Sequence, residues 1–323
     1  MFANRCRTIL LAVGLAAISS VVAFADTYTF TALNDPNGFD TVAVGINDSG
    51  QVAGSFTGVV NGLGAEFGFI ESNGIYTTLA VPGASATQAF GINDSGQVVG
   101  VYQTANATLQ VGFIYSAGVY TPLSIPGSPY TRLTGINDSG QITGIYQTAN
   151  GFSSFLYSNG VFTTISVPGA TTTFVEGINN NGQIVGYYDD ATGSHGFVYN
   201  SAASTPGFDL YSTPGLATIA LGINDSGQVT GYLYDATSGV EQGSFVYTDG
   251  SISTIFTLPF SGSEDTEANS INNNGQIVGD YQDADGSHGF IATVPSVPEP
   301  NSLLLLSTGL IGGFAAFRHR FVR

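Results

Sequence analysis

The sequence predicts an all-β protein, a six-bladed β-propeller of four-stranded blades closed by its own N-terminal strand. Three observations carry that expectation. A ten-residue word recurs six times, four short strand patterns fit into each period, and the two ends of the array are complementary parts of one period.

The word is Gly91-Ile92-Asn93-Asp94-Ser95-Gly96-Gln97-Val98-Val99-Gly100. It returns as Gly45–Gly54, Gly135–Gly144, Gly177–Gly186 and Gly222–Gly231, and as Ser270–Gly279 with Ser in the first place. The starts lie 42 to 48 residues apart, the spacing of one supersecondary unit stacked six times. Ile92 and Val98 flank a tetrapeptide whose Asn and Asp can bond nearby backbone and whose Gly accepts positive φ. That pattern predicts a hairpin, a type I turn closed by a glycine bulge. In two copies the turn reads Asn-Asn-Asn-Gly (Asn179–Gly182 and Asn272–Gly275), which argues against a required carboxylate. The word is a fold signal.

The second repeat shows the rest of the unit. Ala89–Ile92 and Gln97–Tyr102 form the hairpin, a polar loop covers Gln103–Leu109, and Val111–Tyr115 is a third strand. Val119–Ile125 is the fourth and ends at Pro126-Gly127, as Ile75–Val81 and Val161–Val167 end at Pro-Gly. Pro there suits an outer edge, where a missing N–H does least harm. The sixth repeat has its third strand, Gly289–Ala292, but no fourth; Thr27–Leu33 has that pattern and stands ahead of the first repeat. A ring needs this offset, because it removes the unpaired edge that an open stack would keep.

Two side-chain ladders mark the expected packing. Phe69, Phe113, Phe155, Phe197, Phe245 and Phe290 fall on the third strands. Phe56, Tyr102, Tyr146, Tyr188, Leu233 and Tyr281 follow the word by two residues. Register of this kind reads as packing between neighbouring blades.

The chain has 323 residues and only 9% charged side chains. Residues 26–300 hold all 23 acids and a single base, Arg132, a formal charge of −22. Such a surface repels phosphate backbones and anionic lipid, so nucleic acid is excluded as a partner. It is compatible with Ca²⁺ or neutral glycans, and also with solubility alone.

Residues 1–25 read as a secretory signal peptide: Arg5 and Arg7, an apolar run over Thr8–Val22, then Ala23-Phe24-Ala25 as a small-x-small cleavage site. The only cysteine, Cys6, leaves with it, which excludes disulfides and thiolate sites from the exported protein. The propeller is expected over 26–294 and a linker over 295–301. Residues 302–323 hold sixteen residues without charge, Ser302–Phe317, and then Arg318-His319-Arg320 and Arg323. As a helix the run spans about 24 Å, short of the ~30 Å hydrocarbon core but workable with local thinning. The Arg cluster would stay cytoplasmic.

Pro298-Glu299-Pro300, an apolar span and the basic end with Arg318 and Arg320 together resemble the PEP-CTERM sorting signal of Gram-negative bacteria. The resemblance implies recognition by an exosortase, removal of the tail, and delivery to the cell surface or exopolysaccharide matrix. The repeats resemble the HAF family of extracellular repeats, named for a His-Ala-Phe tripeptide. Here it stands as His195-Gly196-Phe197 and His288-Gly289-Phe290, with Phe67, Val111, Ser153 and Gly243 at the His position elsewhere. The family implies export and repeats, not a reaction.

Candidate sites are few. His195 and His288 occupy equivalent places in blades 4 and 6, and read as strand-edge histidines bonded to a loop rather than as a catalytic pair. Asp189, Asp190, Asp283 and Asp285 lie in oxygen-rich loops ending in Gly, which can hold Ca²⁺ weakly. No other cofactor is expected. Asn47, Asn93, Asn137 and Asn224 open formal glycosylation sequons but are read as turn residues. The sequence therefore points to a non-enzymatic surface or matrix protein that binds a glycan or protein partner, held at the membrane as a precursor through its tail. The alternative is an extracellular carbohydrate-active enzyme, a glycosidase or lyase, with two carboxylates ~5–9.5 Å apart across the channel.

Overall fold

The computed structural model describes residues 28–60, 62–105, 109–200, 208–211, 215–235, 237–248, 251–256, 258, 260 and 264–294. The leader with Ala23 and Ala25, and the tail with Pro298, Glu299, Pro300, Arg318 and Arg320, lie outside the described residues.

The repeated word folds as its chemistry dictates. In the first copy Gly50 N–H donates to Asn47 O at 3.0 Å, and Asn47 N–H to Gln51 O at 3.1 Å. Gly50 has φ +76°, and its counterparts in the other five copies lie between +72° and +79°. This is the type I turn with a glycine bulge, six times over.

Each hairpin heads a four-stranded antiparallel blade. The N-terminal strand is β1 (Thr29–Leu33). Blade 1 is β2 (Gly38–Ile46), β3 (Val52–Val60), β4 (Leu63–Ser72) and β5 (Ile75–Leu79). Blade 2 is β6 (Ala84–Ile92), β7 (Val98–Thr104), β8 (Gln110–Ser116) and β9 (Val119–Leu123). Blade 3 is β10 (Thr131–Ile136), β11 (Ile142–Thr148), β12 (Gly151–Ser158) and β13 (Val161–Ile165). Blade 4 is β14 (Thr172–Ile178), β15 (Gln183–Asp190), β16 (Gly193–Asn200) and β17 (Phe208–Tyr211). Blade 5 is β18 (Leu216–Ile223), β19 (Val229–Asp235), β20 (Glu241–Thr248) and β21 (Ser251–Phe256). Blade 6 is β22 (Glu264–Ile271), β23 (Ile277–Asp283) and β24 (Gly286–Thr293), with β1 as its outer strand.

The expected closure is present: β1 pairs with β24 from Thr29↔Thr293 to Leu33↔Gly289. Where the sequence predicts a short inner strand, Ala89–Ile92, the observed β6 begins at Ala84. Its partner β7 runs on to Thr104 and gives the small and polar residues Ala84–Gln88 a ladder to join.

The third-strand ladder is where packing needs it; in the second, Phe56, Tyr188, Leu233 and Tyr281 are buried and Tyr102 and Tyr146 half-buried. The six third-strand Phe side chains are at most 2% exposed. Four of those rings also explain the Gly that ends the word: a Cβ on Gly54 would meet the Phe69 ring at 2.7 Å. The apolar clusters cross blade boundaries. Leu33 and Val278 of blade 6 join Phe56 and Phe69 of blade 1, and Val246 of blade 5 joins Tyr281 and Phe290 of blade 6.

All six inner strands share an irregularity that the sequence pattern did not reveal. The register of β2 skips between Ala43 and Gly45, and the other five inner strands skip at the same place, one residue before the word. A β-bulge there leaves one residue per blade out of the ladder. Those residues are Val44, Phe90, Thr134, Glu176, Leu221 and Asn269, and all six line a cavity of about 130 Å³ on the propeller axis.

Candidate functional site: the axial cavity

The two ends of the axis are built differently. At the turn end, Asn47 Nδ2–H donates to Asn93 O of the next blade, and the same bond passes from blade to blade until Asn272 donates to Asn47 O. The six distances are 2.9–3.2 Å. A second ring lies outside it. Asp48 N–H donates to Asp94 Oδ1, and so on round to Asn273 N–H on Asp48 Oδ1, at 2.7–2.9 Å. Within each turn the Asn is held by its own Gln, as where Asn47 Oδ1 accepts from Gln51 N–H at 2.9 Å.

These six Asn side chains are only 3–4% exposed, which rules out glycan attachment at the four sequons and bears out their role in the turn. Asn180 and Asn273 replace Asp in the outer ring without loss, because an amide oxygen accepts as a carboxylate does. Their Nδ2 groups also bridge flanking carboxylates, Asn180 to Asp138 and Asp225, Asn273 to Asp48 and Asp225. Asp94 has no such neighbour. Partial burial, joined by the charges of Asp48 and Asp138, raises its carboxyl above the ordinary value against the Asp48 N–H.

The bulge end, three residues back along each inner strand, has no such symmetry. The bulged residues are three apolar and three polar, and each polar one is fixed differently. Glu176 receives Arg132 Nη2 on both oxygens, at 3.1 and 3.0 Å, and Arg132 lies over the Phe90 ring at 5.1 Å. Burial lifts the Glu176 carboxyl above its ordinary range in spite of that ion pair. Thr134 Oγ1 donates to Val175 O at 3.0 Å. Asn269 Nδ2 donates to Ala43 O and to Asp280 Oδ1, at 3.0 and 2.7 Å. Gln88, Arg132 and Glu267, each three residues before the word, supply further polar groups, and Gln88 Nε2 donates to Glu66 Oε1 at 2.7 Å.

Aromatic rings continue this end outward across blades 3 and 4. Tyr130 and Phe152 are 5.3 Å apart, Phe152 and Phe174 6.5 Å, and Phe174 stacks on Tyr187 at 5.0 Å. Phe152 is 42% exposed. Burial, with the Glu176 charge next, raises the Tyr187 phenol well above its ordinary value.

The sites singled out by sequence lie elsewhere. His195 Nε2 is 2.8 Å from Thr192 Oγ1 and 3.3 Å from Asp190 Oδ1. His288 Nε2 is 3.0 Å from Asp283 Oδ1, and its Nδ1 3.0 Å from Asn34 Oδ1. Both are strand-edge histidines bonded to a loop, and both pack on a ladder Tyr, His195 on Tyr188 and His288 on Tyr281. Asp189 accepts from Ser194 and Thr172, Asp190 from Thr192, and Asp283 from Asp285 N–H. Loop hydrogen bonds thus occupy three of the four carboxylates proposed for Ca²⁺. Among the described residues no group of three or more His, Cys, Asp or Glu is arranged to hold a metal.

The bulged residues and the Arg132–Glu176 pair were missed from sequence. One signal could have found them: the position just before the word reads Val, Phe, Thr, Glu, Leu and Asn, varied where its neighbours repeat.

Residues 296–320 match the PEP-CTERM protein-sorting motif. That motif implies export and membrane-associated processing, and is consistent with sorting by an exosortase. Residues 215–289 match a second family model, described as a protein of unknown function, DUF3466. No curated protein matches the chain. Among solved structures, the β-propeller domain of the Trilobed protease from Pyrococcus furiosus is 10% identical, with a TM-score of 0.45 over 78% of this chain and 95% of that one. Trypanosoma rangeli sialidase is 8% identical, with a TM-score of 0.46 over 88% of this chain. This chain spans 58% of the sialidase's length. YCF48 from Cyanidioschyzon merolae is 10% identical, with a TM-score of 0.38 over 78% of this chain and 82% of that one. Among the described residues no helix is long and apolar enough to cross a membrane.

Proposed function

We propose that this is an exported, non-enzymatic binding module of HAF-type repeats, delivered by an exosortase to the cell surface or matrix. Its ligand, a neutral glycan, sits at the bulge end of the axis. The observation behind this reading is the loss of six-fold repetition there, in a molecule that keeps it at the turn end. Glu176, Thr134 and Asn269 offer hydrogen-bonding groups at the cavity, and the rings from Tyr130 to Tyr187 offer stacking faces. The formal charge of −22 over residues 26–300 favours a neutral ligand over an anionic one.

The test is affinity electrophoresis of the full chain against neutral and anionic polysaccharides, with and without Ca²⁺. Retardation by a neutral polysaccharide, weakened at least tenfold by Phe152→Ala with Tyr187→Ala, is expected. Equal mobility in every gel would overturn the reading. Ca²⁺ at Asp283 and Asp285, with Asp189 and Asp190 as the blade 4 counterpart, is tested alongside by the melting temperature in millimolar Ca²⁺ against EDTA.

A second reading, a glycosidase or lyase, draws on one observation. Burial, followed by neighbouring acids, pushes Glu267 up to about 7, the range of a general acid. Release of reducing or unsaturated sugar ends by the wild type, abolished in Glu267→Gln, would replace the binding reading with this one.

A further inference from the structure

Among the described side chains, the seam between blades 5 and 6 gathers four acids and no base. Glu241 comes from β20, Asp265 and Glu267 from β22, and Asp280 from β23. Glu267 stands directly opposite Asp280 in the β22–β23 register. Asp280 is 9% exposed, and one of its oxygens accepts from Asn269. Glu241 accepts the Thr266 N–H, but its Oε1 is buried without a hydrogen-bond partner. An ionised carboxylate left so is costly, and a protonated one much less so.

The surrounding strands bring no compensating charge. Strand β18 has no titratable side chain, β19 brings Tyr232, Tyr234 and Asp235, and β2 brings Asp40. From β24 comes His288, already tied to Asp283 and Asn34. The one base between residues 26 and 300, Arg132, is bound to Glu176.

We propose that this seam is a proton-operated clasp: blades 5 and 6 close while Glu241 and Glu267 hold protons, and ionisation of the pair works them apart. The direction of the effect follows from the shifts. Burial first, then Glu267 and Asp265, push Glu241 up to about 8; burial, then Asp280 and Asp265, push Glu267 up to about 7. In the unfolded chain both return to the ordinary glutamate value, about 4.3. The folded state therefore holds these protons more tightly. The stabilisation is complete below about pH 4 and is lost as pH rises through about 7 to 8. The clasp does not depend on the ligand proposed above.

Thermal unfolding of the full chain in detergent between pH 5 and pH 9 tests it. The wild-type midpoint should fall by roughly 5 °C across that range. Glu241→Gln with Glu267→Gln should remove most of the fall and raise the midpoint at pH 9, whereas Glu66→Gln, which removes an acid of blade 1, should keep the slope. A flat wild-type profile, or an unchanged slope in the double variant, overturns the clasp. Carbon-13 NMR of glutamate carboxyls in the wild type gives a readout free of mutation. Two resonances titrating above pH 6 are expected, and titration of all of them below pH 5.5 refutes the idea.

Discussion

The turn end of the axis repeats its chemistry six times, while the bulge end, three residues back along the same β-strands, repeats only its backbone. Both ends are ringed by equivalent residues, and both bury polar groups. At the turn end every buried Asn bonds the next blade in the same way, so a change in any blade breaks a link in a closed belt. At the bulge end the backbone gives six equivalent places, which Val44, Phe90, Thr134, Glu176, Leu221 and Asn269 fill with unrelated groups. Where the fold makes the demand, the blades agree. Where they differ, the fold makes no common demand.

Substitutions at the two ends should separate these roles. The largest effect is expected from Arg132→Ala, which strands the Glu176 carboxylate at the cavity and should cost about 3–5 kcal/mol in denaturant unfolding. Arg132→Met combined with Glu176→Leu should recover stability to within about 1 kcal/mol of wild type while weakening ligand retention. A double variant as unstable as the single one would make the pair a structural part like the turn ring.

Next in size is Asn137→Ala. It removes the bond to Asn179 O and leaves buried backbone groups unpaired, about 2–3 kcal/mol, with ligand retention unchanged. Loss of binding in a folded Asn137→Ala protein would erase the distinction between the ends. The smallest effect belongs to Asn180→Asp. It exchanges a bridging amide for a carboxylate between Asp138 and Asp225, and should cost under about 1 kcal/mol at neutral pH, with the loss shrinking in high salt. A salt-independent loss would point to geometry instead of charge.

Most of the architecture could be read from the chain because it is written in local chemistry. Asn-Asp-Ser-Gly makes its turn without outside help, and Phe69 and its five counterparts sit at a fixed distance from it. The partner of Asn47 Nδ2 is a carbonyl 46 residues on, so the same residues that announced the turn gave no notice of the belt. The bulge was hidden for a different reason: it is a mismatch between two strands, and neither β2 nor β3 shows it alone. Acid clustering at Glu241 and Glu267 was equally silent, since those residues come from different blades. The histidines drew notice as a rare residue type, but each is absorbed by its own loop.

The pairing of Thr29 with Thr293 joins residues 264 positions apart. Such a bond has to wait until nearly the whole domain has been synthesised and has crossed whatever membrane it must cross. Until then β1 has no β24 to pair with. A copy broken off early has nothing for that strand to fasten to, which leaves it open to proteolysis. The fold thereby ties its last blade to its first strand, so closure requires both ends of the domain.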